Sequence, residues 1–241
     1  MRDLPVRRLY GVLLSLIGAS ATCWLAATDR LALYIHPRYV VFTAIMSVVA
    51  LALIVASFAV LPAAHSHEDD RPRGRRSLIV GALLVGAAVM ALLVAPPSTL
   101  SVATAQQRKV NQTLSSTPMS SSAGTDFAHF RLRDWAAAIQ LAADPSVLKG
   151  RPFDGTGFVS PVDSKHPDLF YLTRFVVTCC AVDAQPVGVP VYEPGWRAHH
   201  KNGSWVSVTG ALGADPGDAT ASVVIPVTVK PIAEPSQPYE H

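Results

Sequence analysis

Cys179 and Cys180 stand side by side at the end of an apolar run, and a carboxylate, Asp183, follows three residues later. Thiolates bind soft metals, attack electrophiles and oxidise readily. Two sulfurs and one oxygen suit zinc or copper. Neighbouring side chains of a regular strand point to opposite faces, so the pair can chelate one ion only where the backbone breaks. Residues 181–185 read as that break. Three readings stay open: a metal site at Cys179, Cys180 and Asp183, a strained and labile vicinal disulfide, or packing and partner contact. No Cys-x-x-Cys pair occurs, which argues against thioredoxin-like chemistry. A Cys–His hydrolase needs a base, but His129, His166, His199 and His200 carry no motif. A non-enzymatic role is expected, with no catalytic residues.

A second cluster, His65-Ser-His67-Glu-Asp-Asp70, places two imidazoles and three carboxylates in six residues. Such a tract chelates zinc or nickel loosely, through His65 and His67 above all; its plainer reading is a solvated loop balanced by the arginines after it. His199 and His200 read as an exposed turn, and so does His166, although either site could complete a four-ligand set after folding. Cys23 reads as a small apolar packing residue.

The elements that must position these groups fall into two halves. Hydrophobic residues make up 50% of the chain, charged residues 15%, and mean hydropathy is +0.31. That is more apolar than a soluble domain of this length. The excess sits early: 9–28, 39–63 and 78–95 are three nearly uncharged runs, each long enough to cross about 30 Å of hydrocarbon as a helix. The first could instead be a signal peptide after Arg2, Arg7 and Arg8, but no clean small-x-small cleavage site follows it. Those arginines and the four in 65–76 place the N-terminus and second loop in the cytoplasm. Everything after Pro97 then faces outward, in the plasma membrane of the cell. Ala82, Gly86 and Ala91 would permit close helix approach. The spans hold no buried carboxylate or Lys, so they make a poor transport path without a partner.

Residues 1–96 are therefore read as a three-helix anchor, 97–124 as a flexible Ser/Thr/Gln-rich tether, and 125–241 as an extracytoplasmic β domain. Trp135, Ile139 and Ala143 give one buried face to a helix over 132–143. Five β-like runs follow, at 152–159, 169–179, 187–192, 204–212 and 219–232, separated by turn residues. Trp205-Val-Ser-Val-Thr-Gly210 alternates as a half-buried strand should. Five short strands suit a small barrel of OB-like type, with a small sandwich as the alternative. OB barrels often bind nucleic acid, but mixed charge, an outward location and no basic stripe argue against it here. The net charge of +3 comes largely from the arginines that serve topology.

With these residues placed, the chain resembles the YcgQ-like family of uncharacterised bacterial membrane proteins. The resemblance covers most of the chain. It rests on Tyr34-Ile-His-Pro-Arg38, Gly155-Thr-Gly-Phe-Val159, Arg174-Phe-Val-Val-Thr-Cys-Cys-Ala-Val-Asp183, Trp205-Val-Ser-Val-Thr-Gly210 and Pro235-Ser-Gln-Pro-Tyr239. Val182 stands where the family more often has Ala. The resemblance implies a subunit, anchored in the lipid bilayer, of a multi-span permease of the YcgR type, whose gene is a common neighbour. It brings no established catalytic residues. Links of some members to zinc-responsive regulation make zinc the implied ion. Because His36-Pro-Arg38 recurs in the family, His36 and Arg38 are candidate contacts with the outer domain or the permease; a plain interfacial anchor is the alternative. The rival function is a stand-alone extracytoplasmic metallochaperone or thiol-redox protein using Cys179 and Cys180.

Overall fold

A computed structural model describes residues 6–60, 75–94, 99–112, 127–142, 145–163 and 166–241. The chain divides into two units, Met1–Ser98 and Thr99–His241.

Among the described residues, the first unit holds three α-helices, α1 (Val6–Ala27), α2 (Pro37–Val60) and α3 (Arg75–Val94). Asp29 ends α1 in the left-handed region, φ 56°. The Arg30 amide then donates back to Leu25 O at 2.9 Å and the Asp29 amide to Ala26 O at 3.3 Å, the paired bonds that satisfy orphan carbonyls at a helix end. Pro37 opens α2, where its missing N–H costs nothing. His36 caps that start: its Nδ1 accepts the Arg38 amide at 3.2 Å. Arg38 in turn lies over the Tyr39 ring at 4.7 Å. Gly81 of α3 meets the Tyr10 ring of α1, and a Cβ there would collide with it. Two stretches, Tyr10–Ala27 and Pro37–Ala56, are long and apolar enough to cross a membrane. A signal sequence would pass the same test as the first of them. Among the described residues of α3, Ile79–Met90 forms an apolar stretch.

The second unit is a mixed six-stranded sheet with helices against it. Its strands are β1 (Pro152–Pro161), β2 (Leu169–Val176), β3 (Gln185–Tyr192), β4 (Trp205–Asp215), β5 (Asp218–Pro231) and β6 (Tyr239–Glu240). Antiparallel ladders join β1 to β4, β4 to β5, β2 to β3 and β1 to β2, while β3 meets β5 in parallel through Val191 and Val224. These five pairings close a ring in the order β1-β2-β3-β5-β4. The inward positions are filled by Phe170, Leu172, Val189, Val191, Val206, Val208 and Val224, all fully buried. Gly210 sits at a register shift in the β4–β5 ladder, where a Cβ would strike the Ile225 carbonyl. Helix α5 (Leu132–Leu141) lays Leu132, Trp135, Ala136 and Ala138 on this core. Trp135 stacks on Phe127 at 5.5 Å and meets Phe153 edge-on at 6.0 Å.

Two expectations about the elements need correction, and one element was not expected. The strand expected to reach Cys179 stops at Val176, for a reason given below. The tether expected over 97–124 is structured in its described part: α4 (Val102–Arg108) buries Ala105 fully, and residues 99–112 belong to the second unit. The close of the chain adds the unexpected β6, which pairs in parallel with the end of β2 through Phe175–Tyr239 and Val176–Glu240.

Candidate metal centre

The loop between β2 and β3 carries the cysteine pair, and Asp183 builds it. The Val177 amide continues the parallel pairing with β6, donating to Glu240 O at 2.9 Å. The next three amides turn toward one carboxylate. Asp183 Oδ1 accepts from Thr178 N at 3.2 Å, and Oδ2 accepts from Cys179 N at 2.7 Å and Cys180 N at 3.4 Å. The Asp183 amide closes the turn onto Cys180 O at 3.0 Å. Three donors aimed at one side chain cannot also serve a strand, so β2 ends early. An Asp side chain capturing nearby backbone amides is the local competitor of regular structure.

This bend removes the obstacle that strand geometry places between adjacent thiols. Ligand atoms of Cys179, Cys180 and Asp183 all lie within 4.8 Å of one another. Two sulfurs on one tetrahedral zinc sit about 3.8 Å apart, given Zn–S bonds near 2.3 Å. Small side-chain rotations bridge that difference. Cys179 is exposed, Cys180 half-buried, and neither is in a disulfide. An ionised carboxylate offers about four lone-pair sites, and backbone amides occupy three of those on Asp183. The trio thus fits as two sulfurs with at most one spare oxygen. That leaves an open coordination position on a solvent-facing loop.

Among the described residues, no other group of three His, Cys, Asp or Glu side chains converges this closely. His166, His199 and His200 therefore do not complete the set. His166 pairs with its neighbour Asp163, Nδ1 to Oδ1 at 2.9 Å. His199 is exposed, whereas His200, expected in an exposed turn, is buried against Phe170 beside Trp196. Its Nε2 lies 3.3 Å from Glu193 Oε2, a close approach without hydrogen-bond alignment. His65 and His67 lie outside the described residues. His36 and Arg38 belong to the first unit, where His36 caps α2.

Three residues that sequence reading passed over hold the loop in place. Arg108, on α4, donates to Ala184 O directly after Asp183. Asn111 pairs with β3 like a strand end, its Nδ2 donating to Gly188 O at 2.7 Å and its Oδ1 accepting from Gly188 N at 2.8 Å. Glu240 is buried, and its two carboxylate oxygens accept the first amides of α5, Leu132 N at 3.1 Å and Arg133 N at 3.2 Å. Arg174 fastens the same terminal segment through Pro238 O at 3.2 Å. Burial pushes its guanidinium below the usual arginine range, and Glu240 pulls it back up. A polar Arg-Lys-Val-Asn run inside a Ser/Gln-rich stretch was the available signal for Arg108 and Asn111. Glu240 gave none.

The model of the DUF1980 N-terminal domain matches residues 12–111, and that of the DUF1980 C-terminal domain matches residues 105–241. The chain belongs to the DUF1980 family. The DUF1980 C-terminal domain contains the β ring, the cysteine loop and both Asn111 and Glu240. Its match begins within α4 and overlaps the N-terminal match over residues 105–111. Neither the curated proteins nor the solved structures contain a match.

Proposed function

We propose that this DUF1980 chain is a non-enzymatic, membrane-anchored accessory subunit of a permease, whose β unit handles zinc as cargo at Cys179, Cys180 and Asp183. The observation that carries the metal reading is the convergence of two sulfurs and a carboxylate on an exposed loop. Closed four-ligand sites hold structural zinc, while open ones exchange ligands. A two-sulfur site with one spare oxygen suits receiving and passing on an ion. The cysteine side chains would hold the cargo, Asp183 would fix the loop, and the fourth position would come from water or from the next protein.

The membrane reading takes residues 9–28, 39–63 and 78–95 as three spans, with the N-terminus cytoplasmic and the β unit outside. Apolar side chains around α2 and α3 support it: Val41, Phe42, Leu53 and Leu83 are each more than 60% exposed, a surface that water penalises and lipid does not. The strand ring β1-β2-β3-β5-β4, with a short helix, α6 (Trp196–His199), between β3 and β4, supports an OB-like barrel. The sequence resemblance to the YcgQ-like proteins supplies the permease partner. Cross-linking followed by co-purification with the product of a neighbouring permease gene tests the subunit reading. A chain that is fully functional without any permease would sink it.

A further inference from the structure

Away from the cysteine loop, the second unit has a half-open pocket of about 270 Å³ between α5, the start of β2 and the β4–β5 hairpin. Among the described residues, three polar groups on its wall have hydrogen-bonding capacity that no protein group fills and that faces the pocket. Asp215 is 5% exposed; its Oδ1 accepts the Gly217 amide at 2.9 Å, while Oδ2 has no hydrogen bond and the carboxylate no ion pair. Ser222 is 6% exposed and its hydroxyl makes no hydrogen bond. The Tyr171 hydroxyl, half-buried, is unpartnered as well. Burial, and then Asp163, push that phenol above its usual range, which keeps it a donor. Buried carboxylates are ordinarily paired, and buried hydroxyls ordinarily bonded.

We infer that this pocket is a binding site for a small organic ammonium, with Asp215 as its counter-ion and Ser222 and Tyr171 as orienting hydroxyls. The sign comes from Asp215 and Asp218 on the lining; the one imidazole there, His166, is paired with Asp163 at 2.9 Å, which offsets its charge when protonated. Thr220 donates to Asp218 through its hydroxyl at 2.6 Å and its amide at 3.0 Å, which holds that carboxyl below the usual range and therefore charged. A bare divalent ion is disfavoured, because no three carboxylate or imidazole ligand atoms here come as close as in the cysteine trio. The apolar part of the lining, Ile139, Leu169 and Val223, asks for a hydrocarbon body behind the charge. The volume lies just below the range of drug-sized ligand sites, about 300 to 1,000 Å³. A free amine fits these terms better than a long chain. This inference does not depend on the metal reading.

The test is calorimetric titration of the purified full chain with 1-aminopentane, with 1-pentanol as the neutral isostere. The amine is expected to bind saturably and the alcohol to bind about tenfold more weakly or not at all. Asp215→Asn should weaken the amine about tenfold, and Ser222→Ala, a smaller change less able to disturb folding, should weaken it severalfold. The Cys179→Ser, Cys180→Ser double variant should bind as the parent does. Equal affinity for amine and alcohol would overturn the assignment, as would Ser222→Ala and a folded Asp215→Asn both binding like the parent. A lysine-containing pentapeptide binding more tightly than the free amine would overturn it too, because the source of the ammonium would then be a polypeptide.

Discussion

Asp183 Oδ2 lies 2.7 Å from the Cys179 amide nitrogen, the shortest of three bonds that this carboxylate accepts from consecutive backbone amides. The same side chain that bends the loop also stands among the prospective ligands. Shape and chemistry are therefore coupled at one residue. Asp183→Ala should cost about 1–2 kcal/mol, the low end for charged hydrogen bonds, because Thr178 and Cys179 are exposed and water can replace part of the loss. Asp183→Asn keeps one acceptor oxygen and should lose less. Chemical denaturation of the three proteins checks the order; equal midpoints would remove Asp183 from its structural role.

Glu240 ties two distant elements together. Its side chain caps α5 and its carbonyl receives the Val177 amide at 2.9 Å. The backbone link survives substitution, but the capped amide of Leu132 is buried and would lose its partner. Glu240→Ala should destabilise the second unit by about 2–3 kcal/mol, more than Asp183→Ala, because an unsatisfied buried donor bears the full desolvation penalty. Thermal unfolding of both variants compares them, and a smaller effect at Glu240 would contradict the ranking.

Gly188 leaves no room for a side chain. A Cβ there would stand 2.7 Å from Val110 Cγ1 and 3.0 Å from Tyr171 Cβ. Since Val110 belongs to the segment docked through Asn111, Gly188→Ala should push that segment off β3 and leave the ring folded, at about 1–3 kcal/mol. Hydrogen exchange at residue 188 reads this directly, as its amide is donated to Asn111 Oδ1. Exchange should accelerate in Asn111→Ala also; unchanged protection in both variants would dissociate the segment from the sheet.

Much of the second unit was legible because its pattern is period two. Trp205 to Gly210 alternate and do form part of β4, and Trp135 does face the core from α5. What escaped were features made by contacts distant in sequence. β6 is two residues long in a proline-rich tail, and only its pairing with Phe175 and Val176 makes it a strand. α4 looked like a tether because its Ser/Thr/Gln composition is that of linkers; burial of Ala105 and the Arg108 bond to Ala184 O are tertiary facts. His200 looked exposed in a polar loop, yet Trp196 and Phe170 cover it. At the cysteine loop, the break over 181–185 was readable from turn residues. That Asp183 makes the break was not, since its spacing served a ligand equally well.

Asp218 supplies a pH signature. Its carboxyl is held below the ordinary aspartate value of 3.8, first by the Thr220 hydroxyl and then by the Thr220 amide. The folded protein therefore releases this proton more readily than the unfolded chain. The stability it lends is present above the ordinary value and fades as pH falls through the depressed one. Carboxylate titration by NMR should show Asp218 ionised at pH values where free aspartate is half protonated, and Thr220→Val, which removes the hydroxyl and keeps the amide, should raise it part of the way to the ordinary range. An unmoved titration in Thr220→Val would refute the cause.

The most direct measurement of the central claim is zinc content of the reduced, purified full chain after equilibration with the ion, set against its Cys179→Ser, Cys180→Ser variant. The account predicts about one thiol-dependent zinc per chain, lost in the variant while its unfolding midpoint stays close to the parent's, because the loop is held by Asp183 and not by sulfur. Equal zinc in both proteins, or a parent that holds none, would contradict it.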